Sequence, residues 1–159
     1  MEAQMGTAED RLSEQGLSFP KQRLKGQGVT PYKIIDDLLF IGGVAPYGAD
    51  GTLAFKGRLG SDLTIEQGHQ AARLVGLNML QIIRDALGDL DRVDYVVKVV
   101  SMVSATNGFS SINQVSDGFS DLLTEILGER GLHARNAIGA STLHENAPVI
   151  CDAIVKIRR

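Results

Sequence analysis

The chain has 159 residues, 43% of them hydrophobic and 22% charged, which suits one domain with one core. A formal net charge of −3 lacks the basic footprint of a nucleic-acid binder, and 5% aromatics without Trp leave little to stack bases on. The single cysteine, Cys151, excludes an intrachain disulfide and a thiolate metal cluster.

The start, Met1-Glu2-Ala3-Gln4-Met5, has neither a basic n-region nor an apolar h-region, and no apolar run approaches the ~20 residues of a membrane span. The expectation is a cytoplasmic chain without membrane contact. Residues 1–28 read as an N-terminal extension, and 29–159 as the main domain. The extension begins as a short polar helix ending at Gly16, with Thr7 as N-cap ahead of Glu9 and Asp10. Pro20, the basic run Lys21-Gln22-Arg23-Leu24-Lys25, Gly26 and Gly28 form a connector, and the basic run reads as a solvated loop.

Pro31 to Ile35 reads as a strand, Asp36-Asp37 as a turn, and Leu38 to Ile41 as a second strand ending at Gly42-Gly43. Tyr47 to Gly51 turns the chain into a short strand from Thr52 to Lys56. Thr64-Ile65-Glu66-Gln67 is a capping box, and the helix it opens runs to about Leu87 with Gly88 as the stop. Ala72, Val75, Met79, Ile82, Ile83 and Ala86 give that helix a buried stripe, widened by Leu74, Leu77, Leu80 and Leu87. His69, near its polar start, reads as a surface or capping residue. Val93 to Val103 is the longest strand, apolar on both alternating faces. After Asn107-Gly108 a second helix carries Ile112, Val115, Phe119, Leu122, Leu123 and Ile126 at helical spacing and ends near Gly128 or Gly131. Two strands follow, one over His133–Gly139 and one over Asn146–Val155. Cys151 lies in the second and reads as a small buried hydrophobe.

This order predicts an α+β fold, a mixed sheet with two helices on one face. Two helices cover only one face, yet the strands near 94–103 and 148–157 are apolar on both. A homo-oligomer with packed sheets would cover the second face. Arg135, at the mouth of an apolar strand, carries a planar donor fork that fits a carboxylate or phosphate. A salt bridge to Glu129, Asp152 or a neighbouring subunit is the structural alternative. His133 and His144 flank this strand and read as loop histidines.

Six segments in order resemble the Rid family (RidA/YjgF-like, often labelled L-PSP endoribonuclease). They are Gly42-Gly43-Val44-Ala45-Pro46, Thr64 to Leu80, Asp91 to Val99, Phe109-Ser110-Ser111-Ile112-Asn113, His133-Ala134-Arg135, and Ala147-Pro148-Val149 with Asp152-Ala153-Ile154. The longer N-terminus and the Gly-Arg-Leu-Gly-Ser-Asp-Leu turn at 57–63 suggest a YjgF-like subgroup distinct from RidA itself. The resemblance implies a homotrimer of chorismate-mutase-like subunits with clefts between neighbours and no cofactor or metal. In it Arg135 would hold a substrate carboxylate, while backbone near Gly43 and the side chain of Asn113 would shape the pocket. The deaminase members hydrolyse enamines or imines derived from amino acids.

The match departs from the family at several positions. The glutamate that handles water there falls on Ile150, the pocket serine on Gly42 and its cysteine on Ala137. Asp152, two residues beyond Ile150, is the catalytic candidate that remains. The resulting expectation is a trimer binding a small carboxylated metabolite with weak or no deaminase activity. The alternatives are an active enamine/imine deaminase and an L-PSP-type endoribonuclease.

Overall fold

The computed structural model describes residues 7–19 and 28–159. The basic run at 21–25 and the other connector residues from 20 to 27 lie outside the described residues, as do residues 1–6. In chain order the elements are α1 (Ala8–Glu14), β1 (Tyr32–Ile35), β2 (Leu38–Val44), α2 (Ile65–Leu87), β3 (Val93–Ser104), α3 (Ile112–Leu127), β4 (Ala134–Ala140) and β5 (Val149–Ile157). The strands form one mixed sheet in the order β1-β2-β5-β3-β4, with β3 and β4 parallel and the other neighbours antiparallel.

Helix α2 starts and stops where its sequence directs. Thr64 accepts from the Gln67 N–H while Gln67 reaches back to the Thr64 backbone, and Gly88, at φ 83°, closes the C-terminus in the left-handed region. Gly128 follows α3 at φ 66° with an extended ψ of −143°, and its N–H donates to the Thr124 carbonyl. Both helices lie on one sheet face, where Leu39, Val99, Cys151, Ala153 and Val155 meet Val75, Met79, Phe119 and Leu123 in the main core.

Three α-helices are present among the described residues, against the two expected in the core. The short α1 has a Thr7–Asp10 capping box and buries Ala8 and Leu12, one turn apart, in the main core. It is held by Arg11 Nε donating to the Ile126 carbonyl at 2.6 Å. Two apolar side chains in a polar heptapeptide give a faint periodic signal, so the sequence reads it as peripheral.

The strand expected over 52–56 is also corrected. Leu53 makes one isolated bridge to Tyr47, and the segment folds back on itself instead. Gly48 N–H donates to Thr52 O at 2.8 Å and Ala54 N–H to Pro46 O at 3.1 Å, while Asp50 accepts from both the N–H and the hydroxyl of Thr52. With these groups bonded within the loop, the segment does not extend the sheet. Strand β2 in turn runs past Gly42-Gly43 to Val44, with a register irregularity between Ile41 and Val44.

The two long helices touch backbone to backbone at Gly118. A Cβ there would fall onto the His69 carbonyl of α2, and a Cβ at Gly76 would lie 3.2 Å from Leu122 of α3. Gly118→Ala must therefore push α2 and α3 apart. Overpacking of a close-packed core costs about 3 kcal/mol, which lowers Tm by about 6–12 °C in a chain of this size. A thermal melt showing an unchanged midpoint would mean that the helices separate freely.

Candidate functional site

Neighbouring residues in sheet register point to the same face. Arg135 is level with Val99 and, through it, with Ala153, so its side chain points toward the helices; Ala137 follows through Ser101 and Cys151. Ile150 is level with Met102, and Asp152 with Val100 and Asn136, so both point to the open face. Gly43 belongs with this second group, since a Cβ on it would lie 3.1 Å from Ile150 Cγ2. Gly42, beside it in β2, is exposed. Within one subunit the candidates thus divide into Arg135, Asn113 and Ala137 on the helix face, and Ile150, Asp152 and the glycines away from it.

Within the subunit Arg135 is held by α3, and neither Glu129 nor Asp152 pairs with it. Its Nη1 donates to Asp117 Oδ1 and to Ser120 Oγ, each at 3.0 Å, and its Nη2 donates to Asn113 Oδ1 at 3.3 Å. Asn113, Asp117 and Ser120 are spaced i, i+4, i+7 and so form one polar stripe along α3, beside the apolar stripe that faces the core. The spacing is present in the sequence, but three polar residues on a helix carry a weaker signal than the six apolar ones beside them.

His133 completes the network. Its Nδ1 lies 2.6 Å from the Gly131 carbonyl, which can only accept, so Nδ1 carries the hydrogen. In the neutral ring Nε2 then accepts from the Ser120 hydroxyl at 2.8 Å. Burial pushes the His133 pKa below its ordinary 6.5 and the Arg135 charge adds to this, while the Gly131 carbonyl opposes it. His133 lies in the connection just before β4, as a loop histidine should, and its ring joins the Arg135 network. His144 remains exposed, 3.8 Å from Glu145, and His69 lies 3.8 Å from Asp121 at the surface.

On the other face Ile150, 7% exposed, packs with Ala45 and Ala147 and against Tyr47, Leu53, Met102 and Leu143. The 45–56 loop thus covers one end of the open face. Beyond it Phe40, Val100, Ile154 and Ile138 are partly or largely exposed. Cys151 is fully buried and its thiol is pushed up to about 12, first by desolvation, so it remains an unreactive thiol. Among the described residues no three His, Cys, Asp or Glu side chains converge as metal ligands. None of the described helices is long and apolar enough to cross a membrane.

This architecture belongs to a known group. Residues 9–153 match the family described as "YjgF/chorismate_mutase-like, putative endoribonuclease", and the chain is a member of that family. It is 33% identical over 153 residues to Protein TCP17 of Trypanosoma cruzi, covering 96% of this chain and 95% of that protein. The crystal structure of Atu1372 from Agrobacterium tumefaciens, described as of unknown function, superposes with TM-score 0.88 at 35% identity over 95% of this chain and 94% of its own. A structure from Shewanella oneidensis described as a "putative endoribonuclease" superposes with TM-score 0.91 at 30% identity, over 96% of this chain and 100% of its own.

The His133 network makes a pH prediction. A folded-state pKa below 6.5 means that the unfolded chain binds the proton more readily. The stability contribution is therefore fully present above about pH 6.5 and lost as pH falls through the folded value. Urea unfolding at pH 7.5 and pH 5 should show the loss, and His133→Gln should shrink the difference between the two. An equal pH dependence in the variant would assign the loss to other groups.

Proposed function

We propose that the chain is the subunit of a homotrimer that binds a small carboxylated metabolite between subunits and hydrolyses an enamine or imine there. The observation that carries this reading is the guanidinium of Arg135. Of its five N–H donors, three go to Asp117, Ser120 and Asn113, which leaves Nε–H and one Nη2 hydrogen without partners among the described residues. A carboxylate bridging those two would find a fork already fixed in place.

The division of the site supports an inter-subunit arrangement. Arg135 and the Ile150–Asp152 group lie on opposite faces of one sheet, so a pocket that uses both draws on two chains. The partly exposed apolar row of Phe40, Ile154, Val100, Met102 and Ile138 offers each sheet a surface for another copy. Family membership supports the same assembly, within a YjgF-like subgroup distinct from RidA itself. In the proposed reaction water adds to the imine carbon, its proton passes to nitrogen, and ammonia leaves behind a 2-oxo acid. Asp152 is assigned to hold that water, because Ile150 has no polar atom with which to do so.

Cleavage of RNA is the second reading, favoured by the description of the Shewanella relative. A net charge of −3 and an aromatic content of 5% oppose it. Incubation with single-stranded RNA separates the two, since a nuclease would yield fragments.

Charge-assisted bidentate pairs contribute about 1.5–3 kcal/mol, so Arg135→Ala should weaken binding of a 2-oxo acid roughly tenfold to a hundredfold. Arg135→Lys should restore only part of this. Asp152→Asn should abolish ammonia release from 2-aminoacrylate in a coupled assay while leaving binding intact. Unchanged binding in Arg135→Ala would make the arginine structural, and wild-type binding without turnover would make the protein a receptor. A stable monomer in light scattering at micromolar concentration would remove the shared pocket altogether.

A further inference from the structure

A second concave region lies away from Arg135, between the 47–56 loop and the connection from β4 to β5. It is an open-sided cavity of about 360 Å³ lined by Tyr47, Gly51, Thr52, Leu53, Lys56 and Glu145. That volume falls within the range of small-ligand sites. Its walls come from segments about a hundred residues apart in sequence and are clamped twice. The Tyr47 hydroxyl donates to Glu145 Oε2 at 3.2 Å, and the Gly57 N–H donates to the Asn146 carbonyl at 2.9 Å. Behind the wall, Asn78 of α2, 7% exposed, donates to the Tyr47 carbonyl at 2.9 Å. The cavity is therefore preformed.

Its chemistry is two-signed over an apolar side. Glu145 brings a carboxylate, and it does so from φ 56°, with Asn146 at φ 60°. Consecutive left-handed residues without glycine are uncommon, and for a glutamate the conformation carries a conformational cost. Lys56 lines the same cavity and has no ion-pair or hydrogen-bond partner among the described residues. Leu53 and the ring of Tyr47 join the small apolar cluster around Ile150, which supplies the greasy side. A carboxylate and an ammonium in one cavity, with an apolar flank, complement a zwitterion that has an apolar side chain.

We propose that this cavity binds a small apolar α-amino acid, with Lys56 on its carboxylate, Glu145 on its ammonium and Leu53 against its side chain. The Tyr47 hydroxyl holds the Glu145 carboxylate in position. Within one subunit this site is separate from the Arg135 fork, and it does not depend on the reaction assigned there.

The test uses the full chain with methyl-labelled leucine, titrated with L-leucine, 4-methyl-2-oxopentanoate (which lacks the ammonium) and 3-methylbutylamine (which lacks the carboxylate). L-Leucine should shift the Leu53 methyl signals and, as read from those signals, bind roughly tenfold or more tightly than either relative. Glu145→Gln and Lys56→Ala should each cost L-leucine roughly tenfold or more, with Glu145→Gln leaving 4-methyl-2-oxopentanoate unaffected. Arg135→Ala should leave L-leucine binding unchanged, and melting curves check that each variant is folded. Leu53 signals that do not move, equal affinities for the three probes, or loss of binding in Arg135→Ala would overturn the proposal. In the last case the ligand belongs to the arginine fork, and the inter-subunit reading would stand alone.

Discussion

The backbone contact between α2 and α3 at Gly118 is the constraint on which most of the structure depends. It brings α3 down against the α2 backbone at His69 and Arg73, which restricts how α3 can rotate about its axis. That rotation aims Phe119, Leu122, Leu123 and Ile126 into the core. With the apolar stripe fixed, the polar stripe of Asn113, Asp117 and Ser120 must face the edge strand β4, where Arg135 meets it. A glycine with no chemistry of its own thereby sets the orientation of the guanidinium. The buried Ser101–Ser116 hydrogen bond, at 2.7 Å, ties the same helix to β3 and limits sliding along the sheet.

The two faces of the sheet are finished differently. On the helix face, alternate residues of β3 and β5 are buried in the core shared with α2 and α3. On the open face the 45–56 loop shelters Ile150 at one end, while Phe40 stays 36% and Ile138 47% exposed. Leaving such a row in water forfeits hydrophobic stabilisation of roughly 25 cal/mol per Å². Covering it with another apolar surface, as in the proposed oligomer, would recover that stabilisation.

Most of the fold was legible in the sequence because its signals are local. The Thr64–Gln67 box, the Gly88 stop, the Asp36-Asp37 turn and the two apolar stripes each act within a few residues. What escaped was set by distant contacts. The 52–56 segment has the length of a strand, but Asp50 and Gly48 capture its hydrogen-bonding groups. Residues Ala8 and Leu12 count as core only because Asp91 and Ile126 hold the helix that carries them. At the site, Arg135 was visible as an isolated cation in an apolar strand, whereas Ser120 and His133 gain meaning only once β4 is laid beside α3. That Arg135 and Ile150 lie on opposite faces depends on a parallel register between β3 and β4, which no single strand encodes.

The intrachain partners of Arg135 bear on its proposed role. Asp117 is 50% exposed at its side chain whereas Arg135 is 18% exposed, so the pair is unevenly solvated. Removing the aspartate's charge would leave a mostly buried guanidinium poorly compensated, and burial of an unpaired charge is costly. Asp117 therefore allows the arginine to be present before any ligand arrives. The same charge weakens an incoming anion, because the ligand meets a guanidinium that is already partly neutralised. Anions held by charge alone gain little from such a centre, while a carboxylate that engages Nε–H and Nη2–H together adds directed hydrogen bonds. A site arranged in this way trades affinity for selectivity toward planar carboxylates, and a lysine, which lacks the fork, would have only the neutralised charge to offer.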